Sequence, residues 1–383
     1  MRNESMKLKI KILLVGNLCA HYRIKLFELL DKMFDIKFLF FSEEEKYYDG
    51  QKYLGDFNGQ YLCGINLMPK VRINPRLIYE LLFYDYDILI KCINSPLPLL
   101  LSFVISKIRG KKFILWTGIW RHPATLFHKF SFPFVKFIYR HADAIGVYGT
   151  HVKKYLHSLG IDEKKIFIFQ KAADNSLYNK TVSSEQVRSL RQKLDVANRK
   201  VILYVGRLDE VKGIDYLIEA YRELGRNDTT LILIGRGNYQ ERLEHLAAAH
   251  GLNGNVQFLD RIENDKLYTY YAIADVFVLP SITTRTSKET WGMVINEAMN
   301  QGCPVIATDA VGAAAGGLVQ NGINGFIVPE RNSDAIRDAL NNILNNEALK
   351  NKMRANSKRI VEKCTVGRKA EGFKEAIAFV NKN

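Results

Sequence analysis

The stretch KVILYVGRLDEVKGIDYLIEAYREL, residues 200–224, combines a strand, a loop and a helix. Its first six residues are mostly apolar, which is typical of a strand buried on both faces of a sheet. From Ile214 onward, apolar residues recur every three or four positions, which predicts an amphipathic helix. A buried strand followed by a helix that covers it is the repeating unit of a doubly wound parallel sheet.

The same unit recurs on both sides of this stretch. Before it, the predicted strands are KIKILLVG, IKFLFF, DILIKC, KFILWTG, HADAIGVYGT and KIFIFQ; after it, they are TTLILIGRG, NVQFLDR, DVFVLPS, CPVIATD and NGFIVPE. Amphipathic segments such as RIKLFELLDKM and YQERLEHLAAAHG lie between them. Because 383 residues exceed one ordinary core, we predict an α/β protein of two Rossmann-like, doubly wound parallel-sheet domains that face a shared cleft.

The predicted boundaries follow the changes in pattern. Residues 1–175 form the first domain, and 200–365 form the second. Between them, residues 176–199 are polar and lack a strand pattern, which predicts a helical connection. The amphipathic segment 366–383 is predicted as a last helix.

Composition indicates a soluble globular protein, with 47% hydrophobic and 25% charged residues. Its five cysteines are scattered without a CxxC pair or a Cys/His cluster, as is typical of free thiols in a reducing compartment. The run IKILLVG is too short for a signal sequence, and no apolar run approaches the ~20 residues that span a bilayer. We therefore expect a cytoplasmic protein, or a peripheral one on the cytoplasmic face of a membrane.

The net charge of +15 is unevenly distributed. Residues 1–170 contain 26 Lys and Arg against 15 Asp and Glu, a net charge of +11. No acidic residue occurs from 88 to 142, a segment with nine Lys or Arg and ten aromatic residues. This distribution predicts an anionic partner for the first half.

The loop VGRLDEVKG places Gly206, Arg207 and Lys212 between a strand and a helix. Glycine lets a ligand approach the backbone, and two cations just beyond a strand end can hold a diphosphate. An ordinary exposed loop with solvated charges fits equally well. The next strand ends in a Gly-x-Gly turn at Gly235, a pattern that marks a tight turn as often as a ligand loop.

The stretch ETWGMVINEAMNQGCPVIATD, residues 289–309, carries two glutamates around a predicted helix start near Gly292. Backbone N–H groups at such a start can receive a phosphate. The carboxylates of Glu289 and Glu297 can each accept hydrogen bonds from a pair of sugar hydroxyls. The alternative is that Glu289 and Glu297 are two unrelated surface acids. This alternative is weaker because Arg207 and Lys212 predict a phosphate in the same cleft.

Taken together, the motifs GRLDEVKG, LIGRG, NVQFL, ADVFVLPS, ETWGMVINEAMNQGCPVIATD and NGINGFIVPE resemble the retaining glycosyltransferases of family 4, the glycosyl transferases group 1. They occur in the family's order and cover essentially the whole second half. The resemblance implies the GT-B fold, with the C-terminal helix, 366–383, crossing back to the first domain. One departure is Asp260, which stands where relatives often have glycine.

The resemblance also implies a role for each motif residue. Arg207 and Lys212 would neutralise the diphosphate of a nucleotide-diphosphate sugar. Glu289 would act with them in catalysis by accepting from hydroxyls of the donor sugar, and Glu297 would accept from the ribose hydroxyls. The other donor-binding positions act through their backbone and are Gly206, Gly235, Gly292 and Met293.

The implied reaction transfers a sugar with retention of anomeric configuration. It needs neither a cofactor nor a metal, because built-in cations and a helix start stabilise the charge that develops on the leaving diphosphate. The segment DYD, residues 85–87, imitates an Asp-x-Asp metal motif. It directly precedes the strand ILI, where a simple turn fits better.

The first half offers fewer signals for the acceptor side. Gly16 and His21 follow the first strand and are candidates to face the donor. Trp116 stands at a strand end where many relatives have a histidine, and His122 follows it. His21 fits a helix cap equally well, and His122 fits packing better than catalysis.

The acid-free segment includes ATLFHKFSFPFVKFIYRH, residues 124–141, which predicts a helix kinked at Pro133. The predicted apolar face carries Phe127, Phe130, Phe134, Phe137 and Ile138, and the opposite face carries Lys129, Lys136 and Arg140. Either the apolar face packs on the sheet and the basic face meets water, or the basic aromatic segment 107–140 lies on an anionic membrane. We favour the membrane, which would bring a lipid-linked or glycan acceptor to the cleft during cell-envelope or surface-polysaccharide synthesis.

Another GT-B enzyme, such as a sugar-nucleotide epimerase or a phosphorylase, is one alternative to a transferase. The spacing of Glu289 and Glu297 speaks against the epimerase, and the absence of a cofactor-lysine context speaks against a pyridoxal-dependent phosphorylase. Two functions without such an activity also compete. The positive charge suits a nucleic-acid-binding protein, but no nucleic-acid motif is present, so we expect no nucleic-acid partner. A relative that binds membranes or nucleic acid without transferase activity is the second alternative. The joint presence of Arg207, Lys212, Glu289 and Glu297 disfavours it.

Overall fold

A parallel sheet of seven strands forms the first domain in the computed structural model, which describes residues 8–41, 54–68 and 71–382. The first seven residues of the predicted domain and Asn383 of the predicted last helix lie outside the described residues. The strands of this half are β1 Leu8–Gly16, β2 Phe34–Phe40, β3 Gly59–Tyr61, β4 Ile65–Met68, β5 Val71–Ile73, β6 Ile88–Cys92, β7 Lys112–Thr117, β8 Ala144–Val147 and β9 Ile166–Ile168. Its helices are α1 Ile24–Met33, α2 Pro75–Phe83, α3 Pro96–Ile108, α4 Leu126–His141 and α5 Thr150–Ser158.

The strand order of the first sheet is β3-β2-β1-β6-β7-β8-β9, while β4 and β5 pair separately and antiparallel. Residues Ile12 to Val15 of β1 are completely buried, because their side chains point alternately into two hydrophobic layers. Helices α2, α3, α4 and α5 contribute to one layer, and α1 contributes to the other. Both faces of the sheet are therefore covered, as the continuous apolar runs predicted.

The second domain has a six-stranded parallel sheet in the order β12-β11-β10-β13-β14-β15. Its strands are β10 Lys200–Val205, β11 Thr229–Ile234, β12 Val256–Leu259, β13 Val276–Leu279, β14 Val305–Thr308 and β15 Gly325–Val328. The connection from the first domain contains α6 Asn175–Tyr178 and α7 Ser184–Lys193. The later helices are α8 Ile214–Leu224, α9 Gln240–Ala249, α10 Leu267–Ile273, α11 Met293–Asn300, α12 Gly312–Ala315, α13 Ser333–Leu344, α14 Glu347–Val361 and α15 Val366–Lys382.

The last helix, α15, returns to the first domain and packs against α1, β8 and β9. Phe373 stacks on Phe169 with ring centres 3.8 Å apart and meets the ring of Trp116 edge-on at 5.1 Å. A Cβ atom at Gly372 would lie 2.2 Å from the carbonyl oxygen of Ile168, so only glycine allows this close approach. The prediction of two Rossmann-like domains with a helix crossing back is confirmed.

Helix α4 corrects one expectation. It continues through Pro133, but the predicted apolar face does not pack on the sheet. Of the predicted apolar face, Ile138 is buried, together with Tyr139, and its four phenylalanines are exposed. The exposed large apolar residues of α4 are Leu126, Phe127, Phe130, Phe134 and Phe137. Phe130 is 83% exposed, and Lys129 and Arg140 lie on the same solvent side.

The sequence left two alternatives for this face open for a physical reason. Helical periodicity identifies the apolar stripe but does not identify what the stripe contacts. Among the described residues, no helix combines the length and the apolar character needed to cross a bilayer.

Candidate active site

The loops that follow β10 and β11 touch each other at two glycines. Gly206 donates its N–H to the carbonyl oxygen of Ile234 at 3.0 Å. Gly235 has a φ of +142°, and a Cβ atom there would lie 1.9 Å from the carbonyl oxygen of Gly206. Both predicted glycines therefore allow a close backbone approach at the carboxyl edge of the sheet, where ligands of such sheets bind.

Arg207 and Lys212 lie on the loop after β10. The buried Tyr204 fixes this loop by donating its hydroxyl to the carbonyl oxygen of Arg207 at 2.7 Å. The Arg207 guanidinium is half-exposed and pairs with Asp209 at 2.5 Å. The Lys212 ammonium is largely buried and pairs with the carboxylate of Glu289. Two predicted catalytic residues, from distant parts of the sequence, are thus in direct contact.

The Lys212–Glu289 pair determines the charge of the glutamate. Burial alone would raise the pKa of Glu289, but Lys212 opposes burial through both its charge and its hydrogen bond. Arg207 and the backbone of Trp291 act in the same direction, so the pKa of Glu289 is lowered. The carboxylate is therefore ionised at neutral pH and can accept hydrogen bonds from hydroxyls.

The segment from Glu289 to Gly292 is held by hydrogen bonds to the neighbouring loop. Gly312 donates to the Glu289 carbonyl at 3.1 Å, and Ala313 donates to the Trp291 carbonyl at 2.8 Å. Gly292 has a φ of +89° and immediately precedes α11. The first N–H groups of a helix have no partner within it, so those at Met293 and beyond can serve an anion.

Glu297 lies further along α11 in different surroundings. Its carboxylate accepts a hydrogen bond from Tyr271 at 2.8 Å, and Tyr178 also bonds to it. Burial raises the pKa of Glu297 to about 7, although the two tyrosine hydroxyls oppose this. The two glutamates of the motif therefore differ in charge state near neutral pH.

The position that departs from the family pattern, Asp260, follows β12. Its carboxylate pairs with the guanidinium of Arg236 through two contacts. Leu208 donates its N–H to the carbonyl of Arg236 at 2.9 Å, which links this ion pair to the Arg207 loop. Within the described part of the chain, no cluster of three or more His, Cys, Asp or Glu is arranged to hold a metal ion.

The first domain reaches the loop that carries Glu289 through Trp120. Its indole N–H donates to the carbonyl of Glu289 at 3.0 Å, and the Lys288 ammonium lies 3.8 Å from the centre of the indole ring. Ala124 donates to the carbonyl of Arg285 at 2.7 Å. These contacts join the loop after β7 to the segment that carries Glu289.

His21 also bridges the domains. Its Nε2 lies 3.1 Å from the side-chain amide nitrogen of Asn264. Burial lowers the pKa of His21, and the nearby charge of Arg261 lowers it further. His21 is therefore a neutral contact across the cleft near pH 7.

Two other predicted acceptor-side residues line a cavity of about 570 Å³ in the first domain. Trp116 is buried there, beneath the guanidinium of Arg23 at 4.7 Å from a ring centre. His122 packs against Phe132, with ring centres 4.4 Å apart, and burial lowers the pKa of His122 to about 4. Gly16 is not part of this lining.

The same cavity reveals residues absent from the predicted set, above all Lys171. Lys171 follows β9 in the sequence FIFQKAAD, where it looks like any solvated lysine. The aromatic content of the segment 88–142 was a signal for Trp120, but nothing in that sequence identified its contact with Glu289. Sequence periodicity does not report which side chains meet across two domains.

Comparison with known proteins finds a family model that matches the second half of the chain. Residues 186–360 match the family model described as glycosyl transferases group 1. An alpha-D-kanosaminyltransferase of Streptomyces kanamyceticus is 25% identical over 277 residues, which cover 70% of this chain and 70% of that protein. A GDP-mannose-dependent alpha-(1-6)-phosphatidylinositol monomannoside mannosyltransferase of Mycolicibacterium smegmatis is 35% identical over 159 residues, covering 40% and 41%. The match thus spans less than half of the second relative.

Solved structures match nearly the whole chain in fold. The crystal structure of Anabaena Alr3699/HepE in complex with UDP has a TM-score of 0.76 at 20% identity and covers 96% of this chain and 100% of its own. WaaG, a glycosyltransferase involved in lipopolysaccharide biosynthesis, has a TM-score of 0.69 at 15% identity, covering 96% and 99%. These likenesses establish the two-domain fold.

Proposed function

We propose that this chain, whose residues 186–360 match the glycosyl transferases group 1, moves a sugar from a nucleotide-diphosphate sugar to an acceptor with retention of anomeric configuration. The observation that carries the proposal is the contact between Lys212 and Glu289 beside Arg207. The names of two relatives agree with a sugar nucleotide as donor: one structure contains UDP, and one enzyme is GDP-mannose-dependent.

Each group has a task in the proposed reaction. The bond between the anomeric carbon and the phosphate oxygen breaks, the acceptor hydroxyl forms the new glycosidic bond, and its proton passes to the departing nucleoside diphosphate. Arg207 and Lys212 stabilise the negative charge that develops on the diphosphate. Glu289 orients the donor sugar through its hydroxyls, and the N–H groups at Gly292 and Met293 bind phosphate. No step requires a metal or a cofactor.

A binding panel tests the donor site and identifies the base. UDP-, GDP-, ADP- and dTDP-sugars are titrated by calorimetry into the wild type, Arg207→Ala and Arg359→Ala, an exposed arginine on α14 that serves as the matched control. We expect one nucleotide to bind, with at least tenfold loss in Arg207→Ala and no loss in the control. Absence of binding for all four nucleotides would refute the donor assignment.

The stereochemistry needs its own measurement. The anomeric configuration of the product is read from the proton coupling constant at the new glycosidic carbon by NMR. The same configuration as in the donor supports retention, and the opposite one excludes it. This experiment leaves the donor assignment untouched, so the two claims can fail separately.

We also propose that the enzyme binds the cytoplasmic face of an anionic membrane through segment 107–140, for a role in cell-envelope or surface-polysaccharide synthesis. The exposed side of α4 carries aromatic residues next to Lys129 and Arg140, and Ile108 at the end of α3 is also exposed. Aromatic insertion adds to ~1 kcal/mol of attraction per basic residue near an anionic surface.

Vesicle flotation tests this surface. At a constant salt concentration of ~0.1 M, the wild type is expected to float with vesicles that contain about 30% anionic lipid and to float less with neutral vesicles. Phe130→Ser combined with Phe137→Ser should reduce flotation several-fold. Ile323→Ser, which changes an exposed apolar residue of the second domain, should not. Equal flotation of all three proteins would refute membrane binding through α4.

A further inference from the structure

The cavity of about 570 Å³ extends from the exposed side of α4 to Thr290, the neighbour of Glu289. It lies at the carboxyl ends of β6 and β7, between the start of α3 and the inner side of α4. Thr290 of the second domain also lines it. Because Thr290 directly follows Glu289, a molecule in this cavity would lie beside the proposed site of the donor sugar.

The part of the cavity wall that is open to solvent is aromatic. Phe127 and Phe134 line the cavity and are themselves exposed, so they belong both to the cavity and to the exposed side of α4. Leu99 and Val135 continue the apolar wall inward. An apolar chain can therefore pass from a membrane at α4 into the cavity with little contact with water.

The buried part of the wall carries two cations, Arg23 and Lys171. Lys171 is 4% exposed, and its ammonium lies 4.6 Å from the ring centre of Tyr22 and 4.5 Å from that of Tyr148. Arg23 donates to the Tyr148 hydroxyl at 3.3 Å. A third cation, Lys369, is buried behind them.

These cations repel one another at low dielectric. Burial lowers the pKa of Lys171 well below its usual value, and Arg23 lowers it further. Burial and Lys171 do the same to the pKa of Lys369. Across residues 8–41, 54–68 and 71–382, no ion pair includes Lys171; its close contacts are tyrosine rings, which stabilise a cation without neutralising it. A bound anion would relieve this repulsion.

We propose that this cavity holds the acceptor, and that the acceptor is an amphiphile whose phosphate contacts Lys171 and Arg23 while its lipid chain leaves between Phe127 and Phe134. The inference rests on the proposed function and specifies its substrate class. A phosphate matches the buried cations, and a single lipid chain matches the apolar wall and the aromatic opening. The head group beyond the phosphate extends toward Thr290, where its hydroxyl can reach the donor sugar.

Binding of a simple amphiphile tests the proposal on the whole protein. Decyl phosphate, decanol and inorganic phosphate are titrated separately below their aggregation limits, with the fluorescence of the cavity residue Trp116 as readout. We expect decyl phosphate to bind at least tenfold more tightly than either of the other two. Each of the other two probes keeps only one half of the amphiphile.

Three variants assign the two halves to their residues. Lys171→Met should weaken decyl phosphate at least tenfold and leave decanol unchanged, and Lys171→Arg should restore most of the affinity. Ser131→Trp fills the cavity without altering a charge and should abolish the binding of both decyl phosphate and decanol. Lys193→Met, on the exposed side of α7, is the matched control and should behave as the wild type. Far-UV circular dichroism and a cooperative urea unfolding transition serve as the check that each variant is folded.

The outcomes separate this inference from the proposed function. Equal affinity for decanol and decyl phosphate would refute the claim that the cavity recognises a phosphate. Equal affinity for inorganic phosphate and decyl phosphate would refute the claim that it binds a lipid chain. A loss of sugar-nucleotide binding in folded Lys171→Met, equal to that in Arg207→Ala, would place Lys171 in the donor site and overturn the acceptor assignment. If decyl phosphate binds as expected but no sugar nucleotide binds, the proposed function fails instead.

Discussion

The surroundings of Glu289 and of Glu297 differ although both residues belong to one motif and both side chains are largely buried. Glu289 contacts Lys212 and lies within the field of Arg207, and its pKa is lowered. Glu297 contacts two tyrosine hydroxyls, and its pKa is raised to about 7. The partner, rather than the depth of burial, therefore determines which glutamate is ionised.

This difference suits two tasks in the proposed reaction. An ionised Glu289 holds the Lys212 side chain next to the leaving diphosphate and accepts hydrogen bonds from sugar hydroxyls near neutral pH. Glu297 changes its protonation within the neutral range, so its strength as an acceptor for ribose hydroxyls depends on pH. The difference between Glu289 and Glu297 predicts that substitutions of the two residues change the free energy of unfolding with opposite dependences on pH.

The largest expected effect comes from removing the lysine that makes Glu289 acidic. Lys212→Met should lower the transfer rate by about 10²–10³-fold, because a preorganised cation is lost from the diphosphate. It should also reduce the free energy of unfolding by about 3 kcal/mol, because a buried carboxylate loses its partner. Urea unfolding and initial-rate measurements report the two quantities.

A double variant separates the two losses. Lys212→Met with Glu289→Gln leaves no unpaired buried charge, so the free energy of unfolding should return most of the way to the wild-type value. The transfer rate should remain as low as in the single variant. If the single variant is as stable as the wild type, the contrast between the two glutamates is wrong.

The next effect is a pH dependence of stability caused by Glu297. Its pKa in the folded protein is about 7, above its usual value of 4.5, so the folded state binds more protons between these two values. The free energy of unfolding should therefore fall as pH rises from about 4.5 to 7, by about 2–3 kcal/mol from this group. Urea unfolding at several pH values measures the slope.

Glu297→Gln should remove that part of the slope, because the amide does not titrate. Glu289→Gln is the contrasting variant: the pKa of Glu289 is lowered, so the stability it contributes is lost as pH falls toward acid rather than as pH rises. The same loss of stability between pH 5 and 7 in the wild type and in Glu297→Gln would contradict the raised pKa.

The smallest expected effect comes from the hydrogen bond that the Trp120 indole donates to the backbone carbonyl of Glu289. Trp120→Phe keeps an aromatic face for Lys288 but removes the N–H that donates to the Glu289 carbonyl. Loss of one such hydrogen bond is worth about 1 kcal/mol, which corresponds to roughly a fivefold lower kcat/KM. Steady-state kinetics with saturating acceptor measures it, and an unchanged kcat/KM would show that Trp120 does not position the glutamate.

The fold and the predicted donor-side residues could be identified in the sequence for one physical reason. Buried parallel strands produce continuous apolar runs, and the glycines and charges at their carboxyl ends occupy fixed places relative to those runs. Gly206 and Gly235 touch as expected of neighbouring strand ends. The family resemblance added the roles, which spacing alone left open.

The residues of the proposed acceptor cavity were much harder to predict from the sequence, because their positions depend on tertiary contacts. The buried position of Lys171 among tyrosine rings is set by residues far apart in the sequence. The exposure of Phe130 excludes packing of the whole predicted apolar face of α4 on the sheet. The sequence could not exclude it, because an apolar stripe does not indicate what it contacts. The pairing of Lys212 with Glu289 also required the structure, although both residues were identified beforehand.

The central claim, that the second domain binds a sugar nucleotide by its diphosphate, is tested most directly by one calorimetric titration. The nucleoside diphosphate selected by the panel is titrated at pH 8 into the wild type, Lys212→Met and Lys352→Met, an exposed lysine on α14. We predict at least tenfold weaker binding in Lys212→Met alone. Equal affinity in all three proteins would contradict the claim.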